Sequence, residues 1–216
     1  MRKTLCAALA LVPTVALATA DASYTVYKDR TAFIAALAGS VVAEDFNSVL
    51  QDTYFRDAAV HFANFSVSYS GIIRNPDFNL IDTGAPISVN NVFGSAALIG
   101  GVLPNETVSI SFSAPVYAFG GEWSRINDKV ARSLFSVNGD TFDAGADFDG
   151  FWGIVSDNPF DTFQVVGLEN AEGFGLDDAL FSFDPADPLI DPVPVPAAGI
   201  LFGGVAALLA RRRRRA

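Results

Sequence analysis

The two ends of the chain differ from its middle, which limits the part that can fold as a domain. Met1-Arg2-Lys3 gives a positive start, and residues 5–18 are apolar and uncharged. Ala18-Thr19-Ala20 then supplies the small-x-small pattern that signal peptidase accepts. Residues 1–20 are therefore predicted to be a secretory signal peptide cut after Ala20, with Ala22 as the second choice. A membrane-spanning helix is disfavoured, because a span needs roughly 20 apolar residues.

Cysteine cannot contribute to the mature protein. Cys6 is the single cysteine of the chain, and it lies inside the predicted signal peptide. No disulfide and no thiol nucleophile or thiolate metal ligand is then expected, so a packed core must stabilise the fold. Residues 21–184 are long enough for one domain with such a core.

The charge of the chain is distributed unevenly. All 24 acidic residues lie between Asp21 and Asp191, whereas only seven of the 14 basic residues do, so this part carries a formal charge of −17. Such a surface repels nucleic-acid phosphates and anionic lipid headgroups, which excludes nucleic acid as an expected partner. It favours solubility and attracts divalent cations.

The C-terminal end reads as a spacer, a membrane segment and a charged terminus. Residues 185–196 contain five prolines, which favours an extended linker. Residues 197–210 are uncharged and would form a helix of roughly 21 Å, short of a hydrocarbon core of about 30 Å. We nevertheless predict a single transmembrane helix in 197–216. Its arginine cluster is expected to stay in the cytoplasm, so the domain would face outward.

The tail residues resemble a known sorting signal. Val193-Pro194-Val195-Pro196-Ala197 with the residues Arg211, Arg212, Arg213, Arg214 and Arg215 closely resembles the PEP-CTERM class, and most of all its VPLPA-type variant. Val195 stands where that variant usually has leucine. The resemblance implies cleavage near the proline motif by an exosortase, an integral-membrane cysteine protease, and transfer to the cell surface or the exopolysaccharide matrix. The alternative is an ordinary single-pass anchor.

Between the ends, the pattern predicts an all-β domain with one short N-terminal helix. The helix is expected over residues 29–38, capped by Asp29, with Phe33, Ile34 and Leu37 on one face. Asn138-Gly139 predicts a type I′ hairpin turn. The many short strands and 19 phenylalanines favour a β-sandwich of the jelly-roll type. The strands are expected at residues 60–62, 65–69, 107–113, 134–137, 140–142, 151–155, 163–166 and 179–183.

Two groups of carboxylates are candidate calcium sites, since calcium prefers six to eight oxygen ligands. The first joins Glu44 and Asp45 to Asp177 and Asp178, because jelly rolls often place their terminal strands side by side. The second lies in one glycine-containing loop and consists of Asp140, Asp143, Asp147 and Asp149. The alternative is that these carboxylates face water or cap turns.

The function expected from the sequence is non-enzymatic, at the cell surface or in the extracellular matrix. His61 is the single histidine, and no motif of a nucleophilic, metal-dependent or phosphate-binding enzyme is present. The runner-up is a carbohydrate-binding module in which Trp123 and Trp152 stack on polysaccharide, with burial of these rings as the alternative. A secreted glycoside hydrolase is the third reading, because it needs only two suitably placed carboxylates.

Overall fold

The computed structural model describes residues 22–37, 39–72, 77–84, 96–128 and 132–185, and these residues form an all-β fold with one short helix. The helix is α1 (Arg30–Ala36). The strands of this part of the chain are β1 (Tyr24–Tyr27), β2 (Val42–Glu44), β3 (Thr53–Tyr54), β4 (Val60–His61), β5 (Phe65–Ser70), β6 (Leu80–Asp82), β7 (Ala97–Val102), β8 (Thr107–Ile126), β9 (Arg132–Val137), β10 (Asp140–Phe142), β11 (Phe148–Glu169) and β12 (Glu172–Ser182).

These strands pair in one open antiparallel sheet. Its order is β10-β9-β11-β8-β12-β7-β6-β3, and β1, β2, β4 and β5 attach to the sides of that path. The long strands β8 and β11 hold the centre. Residues 107–112 of β8 pair with β5, whereas its residues 118–124 pair with β12. Each half of β8 therefore belongs to a different part of the sheet.

Both central strands bend sharply, and this folds the sheet over its own core. Phe112 and Phe119 of β8 have ring centroids 5.6 Å apart, although seven residues of straight strand would span about 23 Å. Trp152 and Phe163 of β11 lie 6.0 Å apart, although eleven straight residues would span about 36 Å. The register of β11 on β8 shifts between Val155 and Phe160, where this bend lies. The result is a sandwich-like arrangement with aromatic rings inside.

The alternation predicted for residues 107–113 is confirmed. Val108, Ile110 and Phe112 are buried on β8, whereas the serines between them are partly exposed. Phe65 of β5 lies opposite Phe112 in register and 5.9 Å from Phe181 of β12. The phenylalanines thus connect parts of the sheet that are not neighbours along a strand.

The hairpin and the helix agree with expectation except at two points. Asn138 and Gly139 both have positive φ, as a type I′ turn requires. Asp29 caps α1 by accepting a hydrogen bond from the N–H of Ala32 at 2.7 Å. The helix ends at Ala36 rather than Ala38, because Leu37 is already extended. Ile34 is 41 % exposed, so its predicted place on the buried face is wrong.

Candidate functional site

The residues of the first carboxylate group lie on or beside two strands that pair with each other. Strand β2 pairs antiparallel with β12, and Glu44 lies opposite Ala179. The expectation that an early and a late strand lie side by side is therefore confirmed. In β12, Asp177 and Asp178 directly precede the residue that faces Glu44.

The four carboxylates of this group serve separate hydrogen bonds. Glu44 accepts from the N–H of Phe46 at 2.9 Å, and Asp45 accepts from the N–H of Asn47 at 3.1 Å. Both therefore stabilise the turn that follows β2. Hydrogen bonds from Asn47 lower the pKa of Asp45, whereas partial burial raises the pKa of Glu44.

In the other half of the group, which consists of Asp177 and Asp178, an arginine binds Asp178. Arg30 of α1 donates from Nη1 to Oδ2 of Asp178 at 2.7 Å, and the same nitrogen lies 3.8 Å from Oε1 of Glu122. Glu122 lies opposite Asp177 in the pairing of β8 with β12. Burial raises the pKa of Glu122, which the Arg30 guanidinium opposes and the carboxylates of Asp178 and Asp177 reinforce. This network joins the helix to two strands.

The second polar group is centred on Asn127 at the end of β8. Its Oδ1 accepts from the N–H of Ser133 at 2.6 Å. Its Nδ2 donates to Oδ1 of Asp143 and to the carbonyl of Gly145, both at 3.1 Å. The backbone carbonyl of Asn127 accepts from the N–H of Asp147 at 3.0 Å. One buried side chain thus connects β8, β9 and the loop after β10.

Of the aspartates predicted as calcium ligands in that loop, Asp143 and Asp149 bind backbone N–H groups. Asp143 accepts from Asn127, from the N–H of Gly145 and from Arg132, the last at 3.0 Å. Asp149 accepts from the N–H of Arg125 at 2.7 Å. Asp147 has positive φ, and Asp140 is exposed on β10. The loop is closed by these direct contacts.

Neither carboxylate group forms a metal-binding set in the described part of the chain. Within those residues, no group of three or more His, Cys, Asp or Glu side chains is placed to hold a metal ion. Calcium needs several oxygens converging on one point. Here the oxygens of Glu44, Asp45, Asp143 and Asp149 point to separate N–H groups.

Among the described residues, Glu172 is a deeply buried carboxylate that was not predicted as a site residue. It is only 2 % exposed at the start of β12. Its Oε1 accepts from the N–H of Asn127 at 3.1 Å, and its buried Oε2 has no hydrogen-bond partner. Burial raises the pKa of Glu172 to about 7.

The two tryptophans are not exposed, so the expected sugar-stacking platforms are absent. Trp123 is 1 % exposed and Trp152 is 0 % exposed. The ring of Phe135 lies between them, 4.6 Å from Trp123 and 4.4 Å from Trp152. Stacking on a sugar requires a free ring face, and these faces are used by the core. Burial, the alternative reading, is what the structure shows.

Some of the residues missed in the sequence left a detectable signal. Glu172, Phe174 and Leu176 alternate with glycines and an aspartate, which places the glutamate on the apolar face of a strand. Asn127 stands in a short polar segment where asparagine tolerates positive φ. The meeting of Arg30 with Asp178 left no such signal, because 148 positions separate them.

The residues of the predicted cleavage and sorting signals lie outside the described residues. These are Ala18 and Ala20 at the N-terminal end, and Val193, Pro194, Val195, Pro196, Ala197 and Arg211 to Arg215 at the C-terminal end. Among the residues that are described, no helix is long and apolar enough to cross a membrane.

Comparison with known proteins adds no family. The sequence matches no protein-family model and no curated protein.

Proposed function

We propose that this chain is an exported, non-enzymatic protein of the cell surface or the extracellular matrix. Signal peptidase removes residues 1–20, and an exosortase then cuts near Val193 to Ala197. The observation that carries the proposal is the tail itself. A proline motif, a short apolar segment and five terminal arginines follow one another in the order of a PEP-CTERM sorting signal. Before the second cut, the apolar segment anchors the chain in the inner membrane.

The positions of the strands are compatible with both cuts. Strand β1 begins at Tyr24, after the predicted N-terminal cut, and β12 ends at Ser182, before the proline-rich linker. Removal of the two ends therefore takes away none of the described strands. The released domain keeps the aromatic core that connects β5, β8 and β12.

The hydrogen bonds and ion pairs of the two carboxylate groups support a role without catalysis. Glycoside hydrolysis needs one carboxyl group as acid and a second as base or nucleophile on either side of the substrate. The carboxylates of both groups instead bind backbone N–H groups and arginines. Association with polysaccharide would use exposed groups other than the two buried tryptophans.

The finer architecture that we propose is a jelly-roll-like sandwich. The bends in β8 and β11 and the contact of Phe65 with Phe181 support it. In such a fold early and late strands lie side by side, as β1 does with β11 and β2 with β12.

Mass spectrometry of the protein isolated from the producing organism tests the two cuts. We expect an N-terminus at Asp21 and a C-terminus between residues 193 and 197. A variant with Arg211 to Arg215 replaced by glutamine, and a second with Pro194→Ala and Pro196→Ala, should keep the tail. Pro188→Ala is the matched control, because it changes the linker outside the motif and should leave processing unchanged.

The same measurement separates the proposal from its alternative. An ordinary single-pass anchor would give a chain cut after residue 20 that retains residues 197–216 in the membrane fraction. The intact 216-residue chain in the cytosol would contradict both readings.

A further inference from the structure

Glu172 places a carboxyl group at the end of the aromatic core. Successive side chains of a strand point to opposite faces, so Glu172 shares a face with Phe174 and Leu176. Both of those side chains are fully buried. The carboxyl group meets the N–H of Asn127 through Oε1, and Oε2 has no partner. This is an environment that favours a neutral carboxyl group.

Asn127, the residue that Glu172 contacts, connects three segments, which are the end of β8, the start of β9 and the loop after β10. Asn127 has a φ of 58° and holds Ser133, Asp143 and Gly145 through its side chain. A shift of the backbone at Asn127 must therefore move the start of β9 and the loop after β10 as well. The contact between Glu172 and Asn127 links these segments to the start of β12, in addition to the core contacts of Phe135, Val137 and Ala144.

Few charges face Glu172 from the elements around it. The end of β8 contributes Arg125 and Asp128, which are paired with each other at 2.8 Å. The neighbouring strand β7 has no charged side chain, and Arg132 at the start of β9 binds Asp143. Burial dominates and raises the pKa of Glu172 to about 7. The N–H groups of Asp128 and Asn127 act in the opposite direction, Asp128 adds to the increase, and Arg125 reduces it.

We propose that the turn at residues 125–128 is a pH-sensitive latch that is closed over Glu172 when this carboxyl group is protonated and opens when it ionises. An ionised carboxylate needs hydrogen bonds to both oxygens, and Oε2 has no hydrogen-bond partner while the turn is closed, so it needs water. Opening of the turn admits that water. It also frees the Asn127 contacts to residues 133 and 143–147. The latch goes beyond the proposed function and does not depend on it.

Hydrogen exchange measured by mass spectrometry on the full-length chain at pH 5.5 and pH 8.5 tests the latch. Exchange times are scaled for the intrinsic pH dependence of the amide reaction. Linkage between a closed-state pKa of about 7 and an open-state value near 4.5 predicts an opening equilibrium about 30-fold larger at pH 8.5. We expect this loss of protection in residues 125–128, 133 and 143–147.

Two variants test whether ionisation of Glu172 causes this loss of hydrogen-exchange protection. Glu172→Gln should remove the pH dependence, because a neutral amide cannot ionise. Glu169→Gln is the matched control, since the same change at an exposed position near the end of β11 should leave the pH dependence as in the wild type. Equal pH dependence in wild type and Glu172→Gln would overturn the latch.

A direct titration keeps the test valid if Glu172→Gln does not fold. The chain has only five glutamates, so labelling them with carbon-13 at the carboxyl carbon gives five resonances to follow with pH. A resonance with a midpoint near pH 7 that persists in Glu122→Gln, together with the pH-dependent loss of protection in residues 125–128, supports the latch. If no resonance has a midpoint above pH 6, the proposal is wrong.

Discussion

At the scale of single residues, Glu172 is expected to make the stability of the protein fall as pH rises. Its pKa is about 7 in the folded protein and near the ordinary value of 4.5 when the chain is unfolded. The folded state therefore binds the proton more tightly, and the stabilisation is fully present below pH 4.5 and is lost between pH 4.5 and pH 7. At about 1.4 kcal/mol per pKa unit, the loss is on the order of 3 kcal/mol.

Denaturant unfolding of Glu172→Gln at pH 5 and pH 8 measures this contribution. The variant should be more stable than the wild type at pH 8, and the advantage should shrink at pH 5. Glu169→Gln again serves as the control for a change in net charge. An advantage of Glu172→Gln that is equal at both pH values would point to packing rather than ionisation.

Asn127 should be a polar residue whose loss strongly destabilises the protein. Asn127→Ala removes the acceptor of the Ser133 N–H and puts an alanine at a φ of 58°. We expect a loss of about 3 kcal/mol, from the unsatisfied buried donor and the strained backbone together. Asn127→Gly tolerates that φ but still lacks the side chain, so it should lose about 1 kcal/mol less. Urea unfolding of both variants checks this order, and equal losses would remove the backbone contribution.

At the scale of secondary-structure elements, α1 is attached to the sheet mainly through Phe33. This ring is fully buried and lies 5.1 Å from Phe151 and 5.9 Å from Tyr27. It also covers Gly153, where an added Cβ would come within 2.9 Å of the Phe33 ring. Phe33→Ala should therefore cost about 3–5 kcal/mol of stability. Ile34→Ala on the same helix should cost below about 1 kcal/mol, because Ile34 is partly exposed. Thermal unfolding of the pair compares the two, and similar losses would mean that α1 is held by other contacts.

Strands that alternate between buried and exposed residues could be predicted from the sequence, whereas strands without this alternation could not. The alternation in residues 107–113 and the Asn138-Gly139 turn are local signals, and both predictions are confirmed. β7 is buried at every position, so it shows no period of two. Residues 151–155 and 163–166 were expected as two strands but belong to the single bent strand β11, because a bend interrupts the pattern without ending the pairing.

At the scale of the whole molecule, the candidate site depends on contacts that local patterns cannot reveal. The pairing of β2 with β12 was expected from the general form of jelly rolls and is confirmed. Arg30 binds Asp178, and both Asn127 and Arg132 bind Asp143. These contacts depend on where the sheet folds over. A carboxylate-rich sequence therefore predicted metal ligands where the fold uses the same groups for turns and ion pairs.

The acidic surface leads to the last prediction, which is that salt should stabilise the domain. The part between Asp21 and Asp191 has a formal charge of −17, so its carboxylates repel one another in the folded state. Salt also weakens the ion pairs of Arg30, Arg56, Arg125 and Arg132, but exposed pairs contribute only about 0–1 kcal/mol each. The repulsion involves many more charges and should dominate.

Raising sodium chloride from 10 to 300 mM should then increase the melting temperature by about 3 °C or more, which corresponds to roughly 1 kcal/mol for a domain of this size. The increase should disappear below about pH 4, where the carboxylates become protonated. Magnesium chloride and calcium chloride at matched ionic strength serve as the control. Equal shifts with both are expected from screening alone, whereas a larger shift with calcium would show that specific oxygen ligands come together after all. A melting temperature that falls with salt would mean that the ion pairs outweigh the repulsion.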